Sequence, residues 1–126
     1  MSDSTKNDET MDLRVVVCFE NNYRAYQDTL ATAIRILRPD AQITTVGPEE
    51  VGATAKRFGP HVVIGNPIKV ADVENVRAWV ELSLDPTRSS RVNVKGHHSE
   101  IVNPTLDKLM MIIEKIAPTS QKEALG

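Results

Sequence analysis

The chain has 126 residues, 40% of them hydrophobic and 25% charged, with a formal net charge of −2. That length can bury a core without disulfides or metals, and the composition is that of a soluble globular domain. No apolar run approaches the ~18–20 residues that span a bilayer, and the single cysteine excludes an internal disulfide.

Residues 1–12 carry Asp3, Asp8, Glu9 and Asp12 against Lys6. With so little to bury, they read as a disordered acidic tail. A polar, acidic start is not a secretory signal, and a lone cysteine suits a reducing compartment, so a cytoplasmic location is expected. The remaining chain holds 13 acidic and 14 basic residues. That balance gives no electrostatic case for direct nucleic-acid binding or for an acidic membrane surface. Residues 13–117 are expected to form one α/β domain, and residues 118–126 a flexible tail.

Leu13 to Phe19 is apolar on successive residues, as a strand must be when both its faces are covered in a parallel sheet. A helix follows, with Tyr23, Tyr26, Leu30, Ala33, Ile34 and Leu37 as its inward stripe and Gln27 among the residues on the wet side. Asn21 or Asn22 suits the N-cap. Arg35 and Arg38 suit the negative end, and Pro39 stops the helix. Ile43–Val46 reads as a second strand. Gly47-Pro48-Glu49-Glu50 opens a second helix, with Val51, Ala55 and Phe58 inward. Val62–Ile64 reads as a third strand, broken by Gly65-Asn66-Pro67. The order βαβαβ with short turns gives right-handed crossovers and central parallel strands in order 2-1-3. Ligands in such sheets bind beyond the carboxyl ends of the strands, which puts Glu20, Asn21 and Asn66 on one rim.

After Asn66 the pattern changes. Val70, Val73 and Val76 allow a helical turn or two. Trp79–Leu84 and Arg91–Lys95 alternate, separated by the turn-forming Asp85-Pro86-Thr87-Arg88-Ser89-Ser90. So short a link argues for an antiparallel hairpin, because a parallel crossover needs a dozen residues or more. Residues 96–100 read as loop or strand extension. Asn103-Pro104 opens a closing helix that turns Leu106, Leu109, Met110, Ile113 and Ala117 inward and ends at Pro118.

The βαβαβ start and closing helix resemble the receiver domain of response regulators over residues 13–117. The resemblance implies a three-layer, flavodoxin-like fold. It also implies a site at the strand ends: acids after the first strand for Mg²⁺, a phosphoacceptor aspartate after the third, then a Ser/Thr and a Lys. The matching positions here are Glu20, Asn21, Asn66, Ser83 and Lys95. An amide at Asn66 is no carboxylate nucleophile, so an aspartyl phosphate cannot form there. Asn21, where a second acid is usual, removes a hard anionic ligand for Mg²⁺. The 17 residues from Asn66 to Ser83 and the 12 from Ser83 to Lys95 are too few for the two helices a full receiver carries there. The resemblance thus implies a shortened relative without phosphoryl chemistry.

Other constellations compete with it. Cys18-x5-Arg24 after a strand, with Asp85-Pro86 further on, resembles the phosphate loop and acid of low-molecular-weight tyrosine phosphatases. In that family a thiolate attacks phosphorus while an arginine grips the phosphate. Here Glu20 lies inside the loop that must hold a dianion, and Ala25 replaces the hydroxyl that helps the leaving thiolate. His97, His98, Glu100 and His61 could suggest a metal, but adjacent residues of an extended segment point to opposite faces. No metal or cofactor is expected. Glu20 and Arg24 have the i,i+4 spacing of an ion pair. Trp79 either anchors an interface or covers the closing helix. The expected role is therefore non-catalytic, through a protein partner or a second copy of the chain. Trp79, Glu81, Tyr23 and Arg24 are the candidate contact residues, and the segment Trp79–Lys95 with the closing helix is the surface.

Overall fold

A computed structural model describes residues 12–117. The two tails expected at residues 1–12 and 118–126 lie outside the described residues, Asp12 apart. The strands are β1 (Arg14–Phe19), β2 (Gln42–Val46), β3 (Val62–Asn66), β4 (Ala78–Glu81), β5 (Ser89–Val94) and β6 (His97–Val102). The helices are α1 (Arg24–Leu37), α2 (Val51–Phe58) and α3 (Leu106–Ile116). The strands form one mixed sheet in the order β2-β1-β3-β4-β5-β6. β1 is parallel to both β2 and β3, and β4 is parallel to β3, whereas β5 is antiparallel to β4 and β6 to β5. No helix among the described residues is long and apolar enough to cross a membrane.

Two apolar clusters cover the two faces of this sheet, and alternate residues of the central strands feed them. Val15, Val17 and Phe19 of β1 join Leu30, Ala31 and Ile34 of α1 and Leu109, Ile112, Ile113 and Ile116 of α3. Val16 and Cys18 join Val51 of α2, Val63, Ile68, Val73 and Trp79 on the other face. This explains the unbroken apolar runs in β1 and β3, where both sides of each strand meet a packed layer.

The α1 stripe is rotated from its expected place. Gln27 is buried with Leu30, Ala31 and Ile34, while Tyr23, Tyr26 and Leu37 are exposed. The reason is polar: Gln27 Oε1 accepts the Phe19 backbone N–H at 2.7 Å, and that bond holds the amide side chain against the end of β1. Tyr26 sets its ring edge-on to Phe19 with centroids 5.2 Å apart. Neither Asn21 nor Asn22 caps α1. They form a 3₁₀ turn whose Tyr23 N–H reaches the Glu20 carbonyl at 2.8 Å.

β3 runs two residues further than the sequence suggests and ends at Asn66. Between β3 and β4 the helical part is one 3₁₀ turn, Val70–Val73. The antiparallel pairing of β4 with β5 accompanies a second hairpin into β6, a strand where a loop or extension was expected. Lys95 and Gly96 both take positive φ, 52° and 87°, and make its two-residue turn, the geometry that matches strand twist in tight hairpins. Asn103 and Pro104 lie ahead of α3, which Thr105 caps by accepting the Lys108 N–H.

Candidate functional site

The carboxyl ends of β1, β2, β3 and β4 share one edge of the sheet. Phe19 and Asn66 are register partners there, so Glu20 and Asn66 leave adjacent strands at the same level. On the β2 side of β1 lies a recess of about 290 Å³, walled by Glu20, Asn21, Arg24, Asp28 and Glu50 among others. Its charges are three carboxylates and one guanidinium. Glu50 is partly committed, since its Oε1 accepts the Gly47 N–H at 3.3 Å. Among the described residues no ion pair joins Glu20 to Arg24. Nor does any group of three His, Cys, Asp or Glu have a metal-holding arrangement among them.

Asn66 stands outside that recess, on the β4 side. Its Nδ2 donates to the Leu82 carbonyl at 2.6 Å, tying the end of β3 to the segment after β4. Next to it, Ser83 is part of a local turn. Its N–H donates to Ser90 Oγ at 2.8 Å, and its hydroxyl reaches the Asp85 carbonyl at 2.9 Å. Glu20, Asn21, Asn66 and Ser83 are therefore collected on one rim, as the strand ends require.

Lys95 is not with them. β5 is antiparallel, and Val94 pairs with Ala78 at the start of β4. Lys95 thus sits at the amino end of the parallel strands, where its N–H donates to the Arg77 carbonyl. The length of β3, roughly 13 Å at strand rise, separates it from the rim. A lysine after a fifth strand reaches the rim only when that strand is parallel. The hairpin reverses it.

The candidate contact residues divide. Tyr23 and Arg24 are exposed beside the recess. Trp79 is 4% exposed and packs in the cluster with Val63 and Val16, on the face opposite α3. It neither covers the closing helix nor presents an open anchor. Arg91 lies over its ring at 5.3 Å, and His98 meets it edge-on at 5.9 Å. Glu81 is spoken for at both oxygens, by the Ile68 N–H at 2.9 Å and by Arg91 Nε at 2.7 Å. Burial works to raise its pKa, but the Arg91 and Ile68 hydrogen bonds outweigh it and hold the carboxyl below its ordinary range. Arg91 was missed as the organiser of this face. Its signal was the alternation of β5, which puts it beside Glu81 once the hairpin is drawn.

The Cys18-x5-Arg24 segment does not fold as a phosphate loop. Cys18 is a fully buried β1 residue, and Arg24 begins α1 after the 3₁₀ turn. Burial, with a contribution from the Asp72 charge, pushes the thiol up to about 12, the opposite of what a nucleophilic thiolate needs. Asp85 lies in the exposed β4–β5 connection and holds Thr87 at 2.9 Å and 2.7 Å.

No family model matches the chain, and no curated protein matches it.

Proposed function

We propose that this chain is a flavodoxin- or receiver-like domain that has no phosphoryl chemistry and works by protein contact. One observation carries the reading. The side chain that closes β3 at the rim is an amide, and its NH₂ is engaged with the Leu82 carbonyl. Asn66 thus acts as a strut between β3 and the end of β4, where a receiver would keep a free carboxylate to take phosphate.

The parallel order β2-β1-β3 and the helices on both sheet faces support the fold part of this reading. The displaced Lys95 supports the loss of relay chemistry. Lys95 stands at the far end of β5, and the β5 cation nearest the rim, Arg91, is engaged with Glu81. The exposed Tyr23 and Arg24 beside the recess remain contact candidates, whereas Trp79 and Glu81 act within the fold.

The test is incubation of the full chain with acetyl phosphate and Mg²⁺ followed by intact-mass measurement. The expected spectrum is unchanged. A gain of one phosphoryl group that disappears in Asn66→Ala overturns the reading.

A further inference from the structure

The two edges of the sheet are finished differently. β2 and β6 are the outer strands. On β2, the Gln42 N–H points inward to the Leu13 carbonyl, so Ile43 turns its polar groups outward. Arg35 Nη2 covers the outward Ile43 carbonyl at 3.4 Å. β6 has no such cover among the described residues.

The tight turn fixes which groups of β6 are open. In a two-residue hairpin the flanking pair, Val94 and His97, is hydrogen-bonded, and such pairs then alternate along the ladder. His97, Ser99 and Ile101 therefore spend their backbone groups on β5, opposite Val94, Val92 and Ser90. His98, Glu100 and Val102 turn their N–H and C=O groups outward. The strand keeps an unbroken six-residue register with no bulge, and it contains no Pro and no Lys. Those are the devices that usually protect an edge. Val102 is 64% exposed there.

We propose that β6 is a self-association edge: two copies of the chain pair their β6 strands antiparallel, with His98 of each opposite Glu100 of the other. Charge selects this register. Centring the two-fold on Glu100 would set carboxylate against carboxylate in a directly opposed pair, which destabilises a sheet. Shifting by one hydrogen-bonded pair centres it on Ser99 and gives two symmetric His98–Glu100 pairs. The two central pairs supply about four backbone hydrogen bonds. The side chains are already set for it. His98 is held against Trp79. The Ser89 hydroxyl holds Glu100 by Oε1 at 2.9 Å, which leaves Oε2 for the partner. On the same face, Arg91 is turned inward to Glu81 and does not compete for that carboxylate.

This inference deepens the contact reading by naming the partner, and it rests on that reading only in taking protein contact as the domain's mode of action. Two strands, β4 and β5, separate the edge from β3 and its Asn66. Phosphoryl uptake and oligomeric mass are therefore read independently.

Sedimentation equilibrium of the full chain, at concentrations up to ~1 mM, tests it. The expected mass approaches twice 13.9 kDa. Ser99→Lys, which opposes two ammonium groups at the two-fold on an exposed position, should weaken association roughly fivefold or more. His98→Glu and Glu100→Lys should each weaken it, and the double variant should restore it. In a register that opposes Glu100 to itself, the double variant would restore nothing. Monomer at every concentration, a dimer indifferent to Ser99→Lys, or a double variant no better than the singles overturns the proposal.

Discussion

At the start of β1 the Arg14 backbone N–H donates to His61 Nδ1 at 3.0 Å. That bond needs an unprotonated nitrogen, because an imidazolium has no acceptor to offer. Burial, reinforced by the charges of Arg14 and Arg77, pushes the ring down to about 4 from an ordinary 6.5. The unfolded chain therefore binds its proton first as pH falls. Stability from this site is complete above about 6.5, declines as the pH drops toward 4, and levels off below that. The full loss is at most about 3 kcal/mol. Urea unfolding across that range should show it. His61→Asn keeps an acceptor oxygen near the Nδ1 position but cannot titrate, so its slope should be flatter. Equal slopes in the two proteins would assign the pH dependence elsewhere.

At the level of strands, the β1–β3 pair depends on a residue with no side chain. Gly65 is the register partner of Cys18, and a Cβ there would drive into the Cys18 carbonyl and its sulfur. The obstacle is backbone in a central strand, which cannot swing aside as a surface side chain does. Gly65→Ala should lower unfolding free energy by about 3 kcal/mol or more, read as a fall in the urea midpoint. A shift within a few tenths would mean that the strands can separate to admit a methyl. This element also marks where reading the sequence succeeds and stops. The apolar runs of β1 and β3 were legible because burial on both faces leaves no polar residue between. The end of β3 was not, because Gly65-Asn66-Pro67 has the composition of a turn while Gly65 keeps close strand pairing. Gln27 was misplaced for a similar reason: its spacing to Leu30, Ala31 and Ile34 is that of an inward stripe, but its side chain is polar. β6 was hidden because an edge strand with one face open needs no apolar alternation. The rim was legible as far as Ser83. Lys95 was not, since its place depends on the direction of β5 and not on spacing along the chain.

Across the whole molecule, one sheet serves two cores. Val15, Val17 and Phe19 face α1 and α3, while Val16 and Cys18 face α2 and Trp79. Neither layer can dissolve without uncovering the reverse side of strands that the other requires. The molecule should therefore unfold in a single transition. Its composition supplies a separate reporter for each side. The only tryptophan, Trp79, is buried in the α2-side cluster. The two longest helices, α1 and α3, lie on the other face and dominate the helical signal in circular dichroism. Urea curves followed by tryptophan fluorescence and by far-ultraviolet circular dichroism should coincide in midpoint and slope. Trp79 is also roofed by Arg91 and His98, which belong to the antiparallel hairpin and not to the parallel strands. An earlier fluorescence midpoint would thus mean that β5 and β6 open first, leaving the parallel strands with α1 and α3 as the more stable unit. Coincident curves would mean that the hairpin is as much a part of the cooperative fold as β1.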